Sequence, residues 1–170
     1  KLIHIDHIED SEHKALLNSP KFPNRPTHLK LSEKKSGEKF PSIHAIESSD
    51  FARGKVLHFF ANHELLALEL MALILLKFPD APAKFRKDIV HTMKEEQDHM
   101  KLYIKRMNEC GVGFGELSVN NFFWKTISQV KSPYEYTAQM SLTFEQANLD
   151  FALYYKKIFQ TIHDTQTEQI

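Results

Sequence analysis

One thiol, Cys110, is all the chain offers in 170 residues, so no internal disulfide can form, and a reducing compartment, the cytoplasm, is the expected location. An excess of either charge is also missing. The 22 basic and 22 acidic side chains cancel, which removes the electrostatic footprint expected of a nucleic-acid or anionic-membrane binder at the level of the whole chain. Long apolar runs are absent as well. The longest, Leu65 to Leu76, is interrupted by Glu69 and falls short of the roughly 20 residues that span a bilayer, so it reads as a core helix. No segment has the layout of a signal peptide.

What is present is a composition 42% hydrophobic and 26% charged, ordinary for one globular domain with a sizeable core. Residues 1–49 hold Pro20, Pro23, Pro26 and Pro41, the basic stretch Lys30 to Lys39 and at most one short helix around Glu9 to Leu17. They are expected to form an extended arm packed on a helical domain of residues 50–170. Serines and Asp50 offer N-cap chemistry for a helix from Phe51 to Phe78, which Phe78-Pro79-Asp80-Ala81-Pro82 stops. A second helix follows Pro82 through Phe85, Ile89, Met93, Met100, Tyr103 and Met107 to Cys110, with Gly111 at its end. The next segment, about twenty residues with Gly113, Phe114, Gly115, Phe122, Phe123 and Trp124, is too long and too aromatic to hang free. Ser132-Pro133-Tyr134-Glu135 is a capping box with proline at the first helical position, and it starts a third helix that runs to about Ile162. Asp164 is placed to cap a fourth. Because the chain opens on Lys1 and stops at Ile170 inside a helix start, it is expected to be a piece of something longer, its fourth helix truncated. The fold expected is all-α: a four-helix bundle with a long crossover between the second and third helices.

The chemistry lies in that core. Glu96 and His99 are three residues apart on a helix, so both leave one face about a turn apart and can meet at one ion. Their face also carries Phe85, Ile89, Met100, Tyr103 and Met107, where an uncompensated charge costs several kcal/mol (about 3 to 5). The first two helices are antiparallel across a tight turn. Glu64 lies 14 residues before Phe78 and Glu96 lies 14 residues after Pro82, so the two face each other at one level. If the crossover returns the chain to the turn end, Glu145, 12 residues after Pro133, stands within about 3 Å of that level and follows the apolar line Ala138, Leu142, Leu149, Ala152. Glu64, Glu96, His99 and Glu145 are therefore the expected metal ligands. Four-helix carboxylate sites take one Glu from each of two helices and a Glu-x-x-His from each of the other two, so the set is one Glu-x-x-His short. Its expected place is near positions 180 to 185, on the fourth helix.

Several residues have blander readings. Glu69 rivals Glu64 but misses the layer by about 7 Å. Glu145 has an alternative as a buried carboxylate bonded to a crossover tyrosine or tryptophan. His63 and His91 read as polar neighbours, although His91 and Glu95 form an i, i+4 pair. Asp10-Ser11-Glu12-His13 mimics a ligand motif within polar flanks, and His4 and His7 read as surface residues. Phe122 to Trp124 reads as core packing or as the lining of a substrate pocket. Tyr103 reads as a core tyrosine or as a second-layer or redox tyrosine beside the ions.

Phe60-Ala61-Asn62-His63-Glu64-Leu65, Phe78 to Pro82, Glu95-Glu96-Gln97-Asp98-His99 and the stretch from Met140 to Asp150 resemble an uncharacterised bacterial family of the ferritin-like superfamily, over roughly Phe51 to the end. In that family an Asp-Glu-Ile-x-His-Val segment on the fourth helix supplies the remaining ligands, and it is not found here. The resemblance implies a non-haem di-iron, or iron and manganese, oxidoreductase: iron as cofactor, two ions when the fourth helix is present, with manganese as the alternative. Its expected partners are dioxygen or peroxide and a small organic substrate near the aromatic crossover, with no nucleic acid and no membrane, and with a homodimer allowed. Rival expectations are an iron-handling ferroxidase or storage protein, and a bundle that has lost its metal and serves as an interaction module.

Overall fold

A computed structural model of the chain describes residues 17–29 and 39–170; the expected helix around Glu9 to Leu17 and the motif Asp10 to His13, with His4 and His7, fall outside them almost entirely. Among the described residues there are seven α-helices and no strand: α1 (Ile43–Ser48), α2 (Asp50–Lys77), α3 (Ala83–Glu109), α4 (Phe122–Ile127), α5 (Pro133–Gln139), α6 (Glu145–Thr161) and α7 (Thr165–Glu168). A 3-10 turn at Thr27–Leu29 and a π-helical segment at Met140–Phe144 complete the set.

α2 is the central element because it is apolar on nearly every side. Val56, Leu57, Ala61, Leu66, Leu70 and Ile74 are all at most 1% exposed, which no single neighbouring helix could achieve. Ser49 caps it by accepting the Ala52 N–H. Pro79 ends it by restricting Phe78, and Pro82 then stands as the cap before α3. At 28 residues with an 18-residue window of mean hydropathy 1.7, α2 is long and apolar enough to cross a membrane by length and composition, contrary to the run-length expectation. Half of that window is buried in the protein, and His58, Asn62 and Glu69 of α2 bond to neighbouring segments, as in a core helix.

α3 ends in a Schellman motif: Gly111 has φ +77°, its N–H reaches the Asn108 carbonyl, and the Val112 N–H reaches Met107. α6 ends in the same way, with His163 at φ 58° where glycine is usual, the His163 N–H on Gln160 and the Asp164 N–H on Phe159. Asp164 then caps α7 through the Thr167 N–H. Its carboxylate also receives the Arg106 guanidinium at 3.0 and 3.1 Å, pinning the α6–α7 corner to the last turns of α3.

The crossover between α3 and α5 is fastened along α2. The Gly115 N–H bonds His58 Nε2, and the Asn120 N–H bonds Asn62 Oδ1. Within it, α4 buries Phe123, Trp124 and Ile127 against Leu66, Leu70 and Ile74 of α2. The described part of the arm lies on the same surface: Pro20 accepts the Trp124 indole N–H, and Arg25 forms a two-pronged pair with Glu69, both bonds 2.7 Å. α1, which the proline-rich reading of the arm did not anticipate, inserts Ile46 beside Val56 and Phe60.

The third long helix runs from Pro133 to Thr161 as expected, with a π segment in its middle. α5 starts as expected, with Ser132 accepting the Glu135 N–H, although the Glu135 carboxylate turns to the Lys131 N–H. The π segment then adds a wider turn and rotates α6 relative to α5. Leu142 and Leu149, expected to point inward, are 75% and 59% exposed. Ile158 and Phe159 are the residues that α6 buries, against Ile46, Val56 and Phe60, so α6 finishes beside the start of α2 and runs parallel to α3.

Glu69→Ala leaves the Arg25 guanidinium buried without its carboxylate and should lower unfolding free energy by about 3 kcal/mol. Urea denaturation measures this, and the paired change Arg25→Met with Glu69→Leu should recover most of the loss.

Candidate metal centre

Glu64 comes from the middle of α2 and Glu96 from the middle of α3, and each is set by the same fixed rise from the Phe78 to Pro82 turn. One donor atom from each of Glu64, Glu96 and His99 lies within 4.8 Å of the other two, a spacing that could hold a metal ion. His99 Nδ1 is 3.0 Å from Glu96 Oε2. Glu96 is 9% exposed, whereas the His99 side chain is 55% exposed. The imidazole expected inside the apolar stripe thus stands at its solvent edge, one flank of the group open.

Glu145 opens α6 immediately after the π segment and is half-buried. It is not part of the three-residue group. Its charge nevertheless acts on Glu64, and Glu96 acts on it in turn, so three carboxylates share one neighbourhood. No hydrogen bond from a crossover tyrosine or tryptophan holds it among the described residues, since the Trp124 N–H goes to Pro20.

The electrostatic result is a carboxyl that keeps its proton. Burial, then a hydrogen bond to Glu96, then the Glu96 and Glu145 charges push Glu64 up to about 10. Burial and Glu96 also raise Glu145, against a small opposing effect of His99. His63, next to Glu64, is lowered to about 4 by burial despite a hydrogen bond to Asn148, so it is a neutral imidazole. It packs among Phe59, Phe60 and Phe123. Tyr103 stacks on Phe60 at 5.7 Å, its hydroxyl raised by burial and by Glu64 and Glu96.

The remaining candidates lie elsewhere. Glu69 is occupied by Arg25, so it is a structural ion pair. His91 and Glu95 do pair, at 3.5 Å, but on the solvent surface. Cys110 is buried at the end of α3, and burial raises its thiol. The aromatic crossover divides: Phe123 and Trp124 are core, while Phe122 is 63% exposed. Tyr136 escaped notice in the sequence. Its only signal is its place one turn into the third helix, within the same apolar cluster as Leu66 and Met93.

These features define an all-helical protein with a Glu, Glu and His group between its two longest helices. Residues 3–170 match the family described as Protein of unknown function (DUF455), and the chain belongs to that family. No curated protein and no solved structure matches it.

Between the ordinary glutamate pKa and about 10, folded apoprotein binds a proton at Glu64 that the unfolded chain has released. Stability of the metal-free protein should therefore be greatest below about pH 4.5 as far as this group is concerned, and should fall as pH rises toward 10. Melting temperatures of chelator-treated protein across pH 5 to 9 (roughly the range where the slope acts) should show this decline, and Glu64→Gln should flatten it.

Proposed function

We propose that the chain is a ferritin-like metal protein whose site is built from Glu64, Glu96, His99 and Glu145, and that it is a non-haem di-iron, or iron and manganese, oxidoreductase acting on dioxygen or peroxide. The observation that carries this reading is the convergence of Glu64, Glu96 and His99 donor atoms within 4.8 Å in an otherwise apolar layer. Two carboxylates and an imidazole suit iron or manganese, which accept mixed oxygen and nitrogen ligands.

The fit is supported by the proton on Glu64. Two carboxyl groups in hydrogen-bond contact inside a protein cannot both carry charge without a cation, and a proton is the smallest cation that relieves them. A divalent ion would replace that proton and let Glu64, Glu96 and Glu145 all ionise. Glu64 and Glu96 would hold it from two helices, with His99 at the open edge and Glu145 as a further carboxylate from α6. When bound, the metal supplies the one-electron chemistry that activates dioxygen or peroxide.

The chain's own residues then have definable roles. Phe60 and Leu66, buried on either side of Glu64 along α2, and Tyr103, stacked on Phe60, supply the apolar surroundings of the carboxylates. His63, neutral and packed among aromatic rings, adds no competing charge next to Glu64. The exposed side chains of Leu149 and Leu153 on α6, with Leu142 in the π segment before it, form an uncovered apolar face, which a further helix of a bundle would cover.

Metal analysis by mass spectrometry on protein made from the intact gene tests the reading. Two equivalents of iron or manganese are expected, with loss of most of the metal in Glu96→Ala. A wild-type protein free of metal, or a Glu96→Ala variant more stable and equally loaded, would overturn it.

A further inference from the structure

A hydroxyl buried without a partner forfeits its hydrogen bonds to water and gains nothing in return. Tyr136 carries such a group: the residue is 2% exposed and its Oη has no hydrogen-bond partner among the described residues. Its ring lies in the apolar cluster that holds Leu66, Ala67 and Met140, with Met93 and Phe144 packed against it. Ala67 is three residues past Glu64, Met93 is three before Glu96, and Phe144 adjoins Glu145. The cluster that holds the ring thus includes, or has packed against it, residues within one turn of the carboxylate on each of three elements.

Apart from burial itself, the groups that act on the Tyr136 hydroxyl are Glu145 first and Glu96 second. Between Tyr136 and Glu145 lies the π segment Met140–Phe144. π turns of this kind are frequent at functional sites, and the residue that follows this one is Glu145. One turn beyond Tyr136, the Gln139 side-chain oxygen is likewise buried without a partner.

We propose that Tyr136 is a positioning residue which donates its phenolic hydrogen bond to the Glu145 carboxylate when that carboxylate engages a metal ion. The inference rests on the metal reading of the site. The free hydroxyl is then a group kept ready for the loaded state: its cost falls on the apoprotein and its bond forms only with the ion in place. Hydrogen bonds to ligating carboxylates orient them, and losing one typically weakens metal binding by about 10- to 100-fold.

The test compares Tyr136→Phe with wild type, metal-free and titrated with cobalt(II) alone. The expected variant melts at the same temperature as wild type or higher when metal-free, because an unpaired hydroxyl has gone, yet binds cobalt(II) about tenfold more weakly with an altered visible absorption band. In a Glu145→Ala background the same change should alter affinity no further. Unchanged affinity and spectrum in Tyr136→Phe would overturn the proposal, as would a lower metal-free melting temperature with unchanged affinity. A full tenfold effect surviving in the Glu145→Ala background would also overturn it. If wild type itself binds no cobalt(II), the metal reading fails and the inference fails with it; if wild type binds and only the Tyr136 comparison is flat, the inference alone fails.

Discussion

Like charges in an apolar layer are the constraint around which this molecule is arranged. Glu64, Glu96 and Glu145 approach one another from three elements, and each additional carboxylate raises the cost of ionising its neighbours. Hydrophobic burial elsewhere must hold the helices close enough to keep these groups together. The leucines, isoleucine and valine of α2 that are at most 1% exposed supply that burial. A core of this composition gains nothing from carboxylates as packing units, and burying them together costs free energy that the surrounding apolar contacts must offset.

The scaffold resists that repulsion by fastening everything to α2. His58 and Asn62 hold the crossover, Glu69 holds the arm through Arg25, and α4 packs its aromatic face over the same helix. At the opposite end, Arg106 and Asp164 fix where α6 finishes beside α3. The polar groups of α2 therefore divide by role. His58, Asn62 and Glu69 are engaged by the crossover and the arm, whereas Glu64 shares its hydrogen bond with another acid, Glu96.

The long helices and the pairing of Glu64 with Glu96 were legible from the sequence because they depend on local quantities. Pro79 and Pro82 mark the turn, the helical rise is fixed, and equal counts from the turn bring two residues to one height. Preferring Glu64 to Glu69 followed from the same count, and the Arg25 pair explains what Glu69 does instead. Features that depend on distant contacts were not legible. No local rule joins Arg25 to a residue 44 positions away, and the short helices α1 and α4 exist because the surface of α2 receives them. The π segment reads as ordinary helix, and Leu142 and Leu149, on the apolar line expected to face inward, are exposed while Glu145 is half-buried. His99 stands exposed because burial is decided by what covers a helix, not by the stripe it belongs to.

If the proton on Glu64 stands in for a metal ion, metal binding must displace it. Calorimetric titration of metal-free protein with manganese(II) at pH 7, repeated in buffers of different ionisation enthalpy, counts the protons exchanged on binding. Release of about one proton is expected for the first ion bound, because Glu64 must ionise to become a ligand. Binding that releases none, or that takes protons up, would contradict the exchange of proton for metal.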